Sequence, residues 1–381
     1  MLRIGYVALS PTFGMQQYTA DLANGRAADQ TTRVDVFTVR STPRDRFATN
    51  VQIHAVADVR GPGVKSGNLN PAALLKFYRT VRQAQPDVVH FTAPHLWNPI
   101  LLALFRQAGI PTVHTIHDLD PHSGASYGRS LYAWNASIKR LTSHILVHGQ
   151  VYRTRLIQQG LAADRVSYAP LLHLFVNYVA EQSLREQFAR RLGPQDYERF
   201  VLFFARLEAY KGVGVLIDAM RQIEPSGIRA VVAGKGDLQA LMSGPLPSNV
   251  EVRNRLILDD EAIELFKRCS VVVLPYLDAT QSALIAAAYF FGKPVIVTRT
   301  GALPEYVIDG DTGWVVDPRQ TESLAATILN AIDAPDQLVR MGEQAREWYL
   351  AQRRLERRTL RLMYDHVLNR IPNSDLAAEK V

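Results

Sequence analysis

Short apolar runs rich in Val and Ile recur along this chain, separated by stretches whose apolar residues return every three or four positions. The runs read as strands buried on both faces, and the stretches between them as amphipathic helices. In the first half, strands are predicted at Leu2–Leu9, Val34–Val39, Asp87–Thr92, Thr112–Ile116 and Ser143–His148. The helices between them are Gln16–Asn24, Pro71–Gln83, Asn98–Ala108, Tyr127–Leu141 and Gln150–Gln159. The pattern then restarts, with strands at Phe200–Ala205, Ile228–Ala233, Val250–Arg253, Val271–Leu274, Pro294–Val297 and Gly313–Val316. Helices are predicted at Val213–Gln222, Asp259–Cys269, Ser282–Phe291 and Gln320–Ala331, and a basic one runs from Asp336 to about Arg370. Strand–helix alternation of this kind gives an α/β fold, here two doubly wound parallel-sheet units in tandem, with Leu171–Pro194 as linker. Two such units predict a cleft, where a ligand would bind.

Composition narrows the class. At 381 residues and 47% hydrophobic, the chain can bury two cores. Its net charge of +7 suits an acidic ligand or an anionic surface. No basic stretch interleaved with aromatics looks like a nucleic-acid reader, so no nucleic-acid partner is expected. The single cysteine, Cys269, forbids an intrachain disulfide, and its place before an apolar run reads as a buried structural thiol. The first strand begins almost at Met1, no signal peptide precedes it, and no apolar run is long enough to span a bilayer. The expected location is cytoplasmic, with peripheral contact at the inner membrane face.

Candidate chemistry concentrates in the second half. Phe203 to Val213 runs from a strand end into a helix and carries Arg206 and Lys211. Two cations beside a helix N-terminus make a diphosphate site, and a pair of solvated charges is the plain alternative. Gly234-Lys235-Gly236 follows a strand but lacks the third glycine of the dinucleotide fingerprint, as does Ser10–Gly14, which disfavours a nicotinamide enzyme. Pro275–Ser282 opens a helix at Ser282, whose hydroxyl and amides suit phosphate and sugar hydroxyls or serve as an ordinary N-cap. Gly292-Lys293-Pro294, Gly301–Glu305 and Gly310–Gly313 punctuate the last strands.

In this order the segments resemble the retaining GT-B glycosyltransferases of family 4, over nearly the whole chain and most densely from Phe203 to Val316. The resemblance implies an acceptor-binding domain at 1–172, a nucleotide-sugar-binding domain at 173–346, and a final helix at 347–381 returning to the first domain. It gives Arg206 and Lys211 the donor diphosphate and a catalytic part, shared with His117, which stands at the end of the strand Thr112–Ile116 beside the sugar. Gly14, Gly234, Asn254, Arg255, Thr280, Gln281, Ser282 and Glu305 are the implied donor contacts, and His95 and Asp118 the acceptor side. The chain departs from the family at a pair of glutamates that bracket the sugar-binding turn, since the matching positions are Ala279 and Ala287. Thr280, Gln281 and Ser282 are expected to replace those contacts. The implied activity is hexosyl transfer from a nucleoside-diphosphate sugar to a glycan or lipid-linked acceptor in surface glycoconjugate synthesis. No cofactor and no metal are expected, because Asp118-Leu119-Asp120, which fits a metal motif, lies in the acceptor half. A non-catalytic partner subunit and a sugar-nucleotide epimerase remain open on the same fold.

Other histidines divide by position. His90 and His114 lie within strands and read as core; His122 is a loop residue near the acceptor side; His148 and His173 follow later strands. Leu131, Trp134, Ile138 and Leu141 share a helical face beside Lys139 and Arg140, which either rests on a membrane or faces the core. Arg353, Arg354, Arg357, Arg358 and Arg361 read as a solvated face of the last helix.

Overall fold

The computed structural model describes residues 1–58, 66–122, 128–187 and 190–370, so the predicted helix start at Tyr127 and the tail beyond 370 lie outside the described residues. The chain divides into two units. Unit 1 comprises Met1–Pro121, Ala125–Gln182 and Arg354–Val381, and unit 2 comprises His122–Gly124 and Ser183–Arg353.

Unit 1 holds strands β1 (Leu2–Ala8), β2 (Thr32–Val39), β3 (Gln52–Ala57), β4 (Val88–Phe91), β5 (Thr112–Thr115), β6 (His144–Val147) and β7 (Val166–Tyr168). They form one sheet in the order β3-β2-β1-β4-β5-β6-β7, and every pairing is parallel. Unit 2 holds β8 (Phe200–Phe204), β9 (Arg229–Ala233), β10 (Val250–Arg253), β11 (Val271–Leu274), β12 (Val295–Thr298) and β13 (Gly313–Val316). Their order is β10-β9-β8-β11-β12-β13, again all parallel. The predicted interior strands are found within a residue or two of their predicted ends. Two edge strands, β3 and β7, were not predicted: Gln52–Ala57 is mixed in polarity and β7 has three residues, so neither presents a continuous apolar run. Within the expected linker a helix forms at Tyr178–Glu186, burying Leu184.

Right-handed crossovers put the helices Pro71–Gln83, Asn98–Gln107, Gly128–Leu141 and Gln150–Gln158 on one face of the first sheet, because all four connections step in the same direction along it. Asn70 caps the first of them, accepting the Ala72 and Ala73 amides at 3.0 and 3.2 Å. The core under this layer joins Val7, Phe91 and Ile145 of the sheet to Phe77, Leu101, Phe105, Ile138 and Leu156. Trp134 and Leu141 pack against the same core, so the apolar face of their helix points inward and is not a membrane-facing stripe. These four helices contain no Asp or Glu, while Lys76, Arg79, Arg82, Arg106, Arg129 and Arg140 are exposed on them.

Strand residues alternate between faces, so Tyr6, His90 and Thr115 point to the other side of the sheet. There they build a buried hydrogen-bond chain. The Tyr6 and Tyr364 hydroxyls are 3.1 Å apart, His90 Nδ1 lies 2.7 Å from Tyr364 Oη, and His90 Nε2 lies 2.8 Å from Thr115 Oγ1. Tyr18 Oη closes the chain at 3.0 Å from Thr115 Oγ1. Tyr364 belongs to a helix of 33 residues, Pro335–Val367, that begins in unit 2 and ends in unit 1. Of the arginines expected on its solvated face, Arg354, Arg357, Arg358 and Arg361 are exposed, but Arg353 is buried, because its position falls on the packed side of the helix. Cys269 is buried, and burial pushes its thiol up to about 12.

His90, His95, His114 and His144 are each at most 1% exposed, and desolvation holds them neutral, with His114 and His144 lowered to about 3 and His95 to about 4. In the unfolded chain a histidine takes up its proton near pH 6.5, so below that pH the unfolded state binds more protons and stability falls with pH. His114 and His144 should each cost about 2 kcal/mol at pH 5 relative to pH 7. Urea midpoints measured at both pH values test this; equal midpoints would remove the assignment of buried neutral histidines.

Candidate functional site

In unit 2 the loops leaving β8, β9, β10, β11 and β12 meet at the carboxyl edge of the sheet, the end at which open α/β sheets hold ligands. The β8 and β9 loops continue side by side beyond the strands: Ala205 N–H donates to Ala233 O at 3.1 Å and Leu207 N–H to Lys235 O at 3.0 Å. Gly234 sits in this contact with φ of 148°, and a Cβ there would lie 1.8 Å from Ala205 O. The glycine is thus required by the neighbouring loop. Asn254, from the β10 loop, brackets Gly236, accepting its N–H at 3.0 Å and donating to its carbonyl at 2.9 Å.

The β8 loop is pinned on its other side to the β11 loop. Gly212, with φ of 67°, would place a Cβ 1.9 Å from Pro275 O, and Leu277 N–H donates to Tyr210 O at 2.7 Å. Gly212 also starts the helix Val213–Gln222. Lys211, just before it, has its ammonium 5.3 Å from the centre of the Tyr276 ring and 5.8 Å from that of Tyr210. Arg206 is 67% exposed and pairs with Glu208 at 2.8 Å. The β11 loop is in turn fixed to the β12 loop. Ala302 N–H donates to Thr280 O at 3.0 Å, Thr298 Oγ1 donates to Tyr276 O at 2.5 Å, and a Cβ on Gly301 would meet Ala279 O at 1.8 Å.

Of the predicted donor contacts, Arg206, Lys211, Gly234, Asn254, Arg255, Thr280, Gln281, Ser282 and Glu305 therefore all lie on loops of this one edge. Ser282 is the N-cap of Ala283–Phe290, accepting the Leu284 amide at 3.4 Å. Glu305 lies on the single turn Leu303–Tyr306. Arg255 is committed to a bidentate pair with Glu261 at 2.6 and 2.8 Å, which holds that carboxyl below its usual range. Ala279 and Ala287 are 5% and 1% exposed, so a carboxylate at either position would be buried. Tyr210 and Tyr276, which flank Lys211, were not predicted; their only signal is adjacency to Lys211 and to the turn.

The predicted residues of unit 1 lie at the carboxyl ends of β1, β4 and β5. Gly14 is the second residue of the helix Phe13–Ala27, and a Cβ there would meet nothing within 4 Å. His117 follows β5, is 6% exposed, and donates from Nε2 to Thr92 O at 2.9 Å. Burial lowers its pKa, which leaves a neutral imidazole with Nδ1 in a buried setting. Its ring meets Tyr18 edge-on at 4.9 Å, and the rings of His148 and His173 lie 5.0 and 6.1 Å from the same tyrosine. Tyr18 thus gathers three histidines, although nothing in Gln16-Gln17-Tyr18 marks it in the sequence. His95 accepts the Trp97 amide at 3.1 Å and is buried. Asp118 is half-buried, and its carbonyl accepts from Asn135 Nδ2 at 3.1 Å. Asp120 makes a bidentate pair with Arg155. Among the described residues, no group of three or more His, Cys, Asp or Glu is placed to hold a metal ion.

Two family profiles match the chain: "Glycosyltransferase Family 4" over residues 13–171 and "Glycosyl transferases group 1" over residues 185–348. With two Rossmann-like parallel sheets and these matches, the chain is a glycosyltransferase of the GT-B fold. Within that class it belongs to family 4. Among its relatives is the D-inositol 3-phosphate glycosyltransferase of Corynebacterium glutamicum, 25% identical over 88% of this chain and 87% of that one. A GDP-mannose-dependent alpha-mannosyltransferase of Mycobacterium tuberculosis is 26% identical over 81% and 78%. Similar solved structures include HepE from Anabaena in complex with UDP and glucose, with a TM-score of 0.68 at 19% identity, covering 96% of this chain and all (100%) of that one. Sucrose-phosphate synthase from Thermosynechococcus elongatus has a TM-score of 0.71 at 18% identity, with coverage of 97% and 100%.

The two glycines make a paired test. Gly234→Ala should cost about 3 kcal/mol or more, since backbone must move to admit the methyl. Gly14→Ala should be neutral or stabilising by up to about 1 kcal/mol, being helical and open. Denaturant midpoints of the two variants decide between this reading and one in which both glycines serve only a ligand.

Proposed function

We propose that the chain transfers a hexosyl group from a nucleoside-diphosphate sugar to a glycan or lipid-linked acceptor, with retention at the anomeric carbon and without a metal. The carrying observation is the pair Arg206 and Lys211 at the head of the helix Val213–Gln222, on a loop fixed on both sides by backbone contacts. As the bond from the anomeric carbon to the diphosphate oxygen breaks, negative charge grows on the departing group. Lys211 and the helix amides then stabilise that charge from set positions, and Arg206 joins them by exchanging Glu208 for the diphosphate. Lys211 is held between two aromatic rings, so its ammonium is already positioned. With no carboxylate at Ala279 or Ala287, the sugar hydroxyls fall to the amides and side chains of Thr280, Gln281 and Ser282. The HepE structure with UDP and glucose supports a donor of this kind, as does the GDP-mannose named for the mannosyltransferase.

The edge of unit 1 takes the acceptor in this reading, with neutral His117 as a hydrogen-bonding group, Asp118 next to it in the chain and His95 on the loop after β4. Lipid-linkage is favoured by the acid-free helical layer, whose exposed cations would meet an anionic headgroup surface without a carboxylate on the same helices to oppose them. No described helix is long and apolar enough to cross a membrane.

Arg206→Ala and Lys211→Ala should each lower kcat/KM by about two orders of magnitude, as for loss of one oxyanion donor. Turnover is measured with a panel of UDP-, GDP-, ADP- and TDP-sugars, and the anomeric configuration of the product is read by NMR. Binding of a nucleotide without turnover would favour a non-catalytic partner, and conversion of donor with no acceptor present an epimerase. For the membrane contact, replacing Lys76, Arg79 and Arg82 by Gln should weaken sedimentation with anionic vesicles by about 3 kcal/mol, at about 1 per cation. Equal sedimentation of the variant and the parent chain would remove that contact.

A further inference from the structure

At the opposite edge of the unit 2 sheet lies a cavity of about 260 Å³. Its position follows from its lining: Glu198, Arg268 and Lys293 all precede strands, and in a parallel sheet residues before strands gather at the amino edge. Five cations line it, namely Arg190, Lys267, Arg268, Lys293 and Arg346, against two carboxylates, Asp196 and Glu198. Both carboxylates are already engaged in bidentate pairs. Asp196 binds Arg190 at 2.5 and 3.2 Å, and Glu198 binds Arg268 at 2.5 and 3.0 Å.

Lys293 is the unusual member. It is 1% exposed, its ammonium donates to Asp196 O at 2.5 Å, and it lies 4.1 Å from the centre of the Tyr197 ring. An ammonium has three donors, and the described hydrogen bond uses one. Burial lowers its pKa to about 8; Cys269 and Asp196 oppose the shift, and the charges of Arg346 and Arg190 add to it. Arg346 is lowered too, by burial first and then by Arg190. A buried cation among other cations is a state that an anion relieves. Phe290, Phe291, Leu184 and Leu192 form an apolar part of the wall, with Gln187 and Gln195 completing it.

We infer that this cavity binds a phosphomonoester, with the phosphate against Lys293, Lys267 and Arg346 and an apolar or planar body against Phe290 and Phe291. The site is distinct from the donor edge and needs no part of the reaction above. The phosphate's negative charge is matched by cations whose own carboxylates are spoken for, and the aromatic wall selects against bare inorganic anions.

Isothermal titration with inorganic phosphate and phenyl phosphate tests it, on the full chain and on the double variant Arg206→Ala Lys211→Ala, which removes the donor-edge cations. Both ligands should bind both proteins, with phenyl phosphate tighter. Lys267→Glu, on the half-exposed rim where folding is not at risk, should weaken both by about tenfold or more. Lys293→Met should do the same if it folds, as checked by its circular dichroism. Absence of binding, loss of binding in the donor-edge double variant, or binding indifferent to Lys267→Glu would each overturn the site. Equal affinity for the two ligands would overturn the role of the aromatic wall.

Discussion

Three carbonyl oxygens decide where the second unit can put its functional groups. Pro275 O, Ala205 O and Ala279 O each press so close to a neighbouring loop that a Cβ would intrude to 1.9 Å or less, and the positions facing them are Gly212, Gly234 and Gly301. All three glycines have positive φ, so the residue type is fixed twice, by space and by backbone conformation. Four successive loops thereby behave as one block. Arg206 and Lys211 leave from the middle of that block, and Thr280 and Ser282 from its flank. A free loop would lose backbone freedom when it engages a ligand; here that loss has occurred on folding.

The first unit solves a different problem. One face of its sheet carries imidazoles and hydroxyls linked in a buried hydrogen-bond chain from Tyr364 through His90 and Thr115 to Tyr18. Such chains polarise each bond in turn, and a fully satisfied network specifies one arrangement of rings. Tyr18 ends the chain and carries His117 edge-on. The orientation of that imidazole thus depends on a residue near the far end of the sequence. The second unit carries cations at the carboxyl edge of its sheet, and the first holds a set of oriented rings and hydroxyls on one face of its own.

The interior of both sheets was legible because a strand buried on both faces must be apolar throughout, as in Phe200–Phe204 and Val271–Leu274. Edge strands escape that demand, and Gln52–Ala57, with His54 in its middle, showed no such run. The place of Arg206 and Lys211 between strand and helix was legible in the sequence, whereas Ala279 and Ala287 drew notice only through the family resemblance. What spacing could not give was company. That Arg255 is spent on Glu261, that Gly234 answers to Ala205, and that Tyr18 gathers three histidines are properties of packing between segments far apart in sequence. Likewise the helical face of Trp134 and Ile138 could point either way until a core stood beside it.

The helix Pro335–Val367 gives the molecule an order of assembly. The sheet of unit 1 is complete by Tyr168, yet Tyr364, which hydrogen-bonds to His90 and Tyr6 in its centre, comes last. At ribosomal speeds of 5–20 residues per second, roughly 10–40 s separate the synthesis of the last strand from that of its missing partner. During this interval His90 and Tyr6 have no Tyr364 to bond, and the whole of unit 2 is made. The nascent first half therefore waits with that hydrogen-bond chain incomplete. A C-terminal truncation too short to touch unit 2 would strand the oldest part of the chain in that unfinished state.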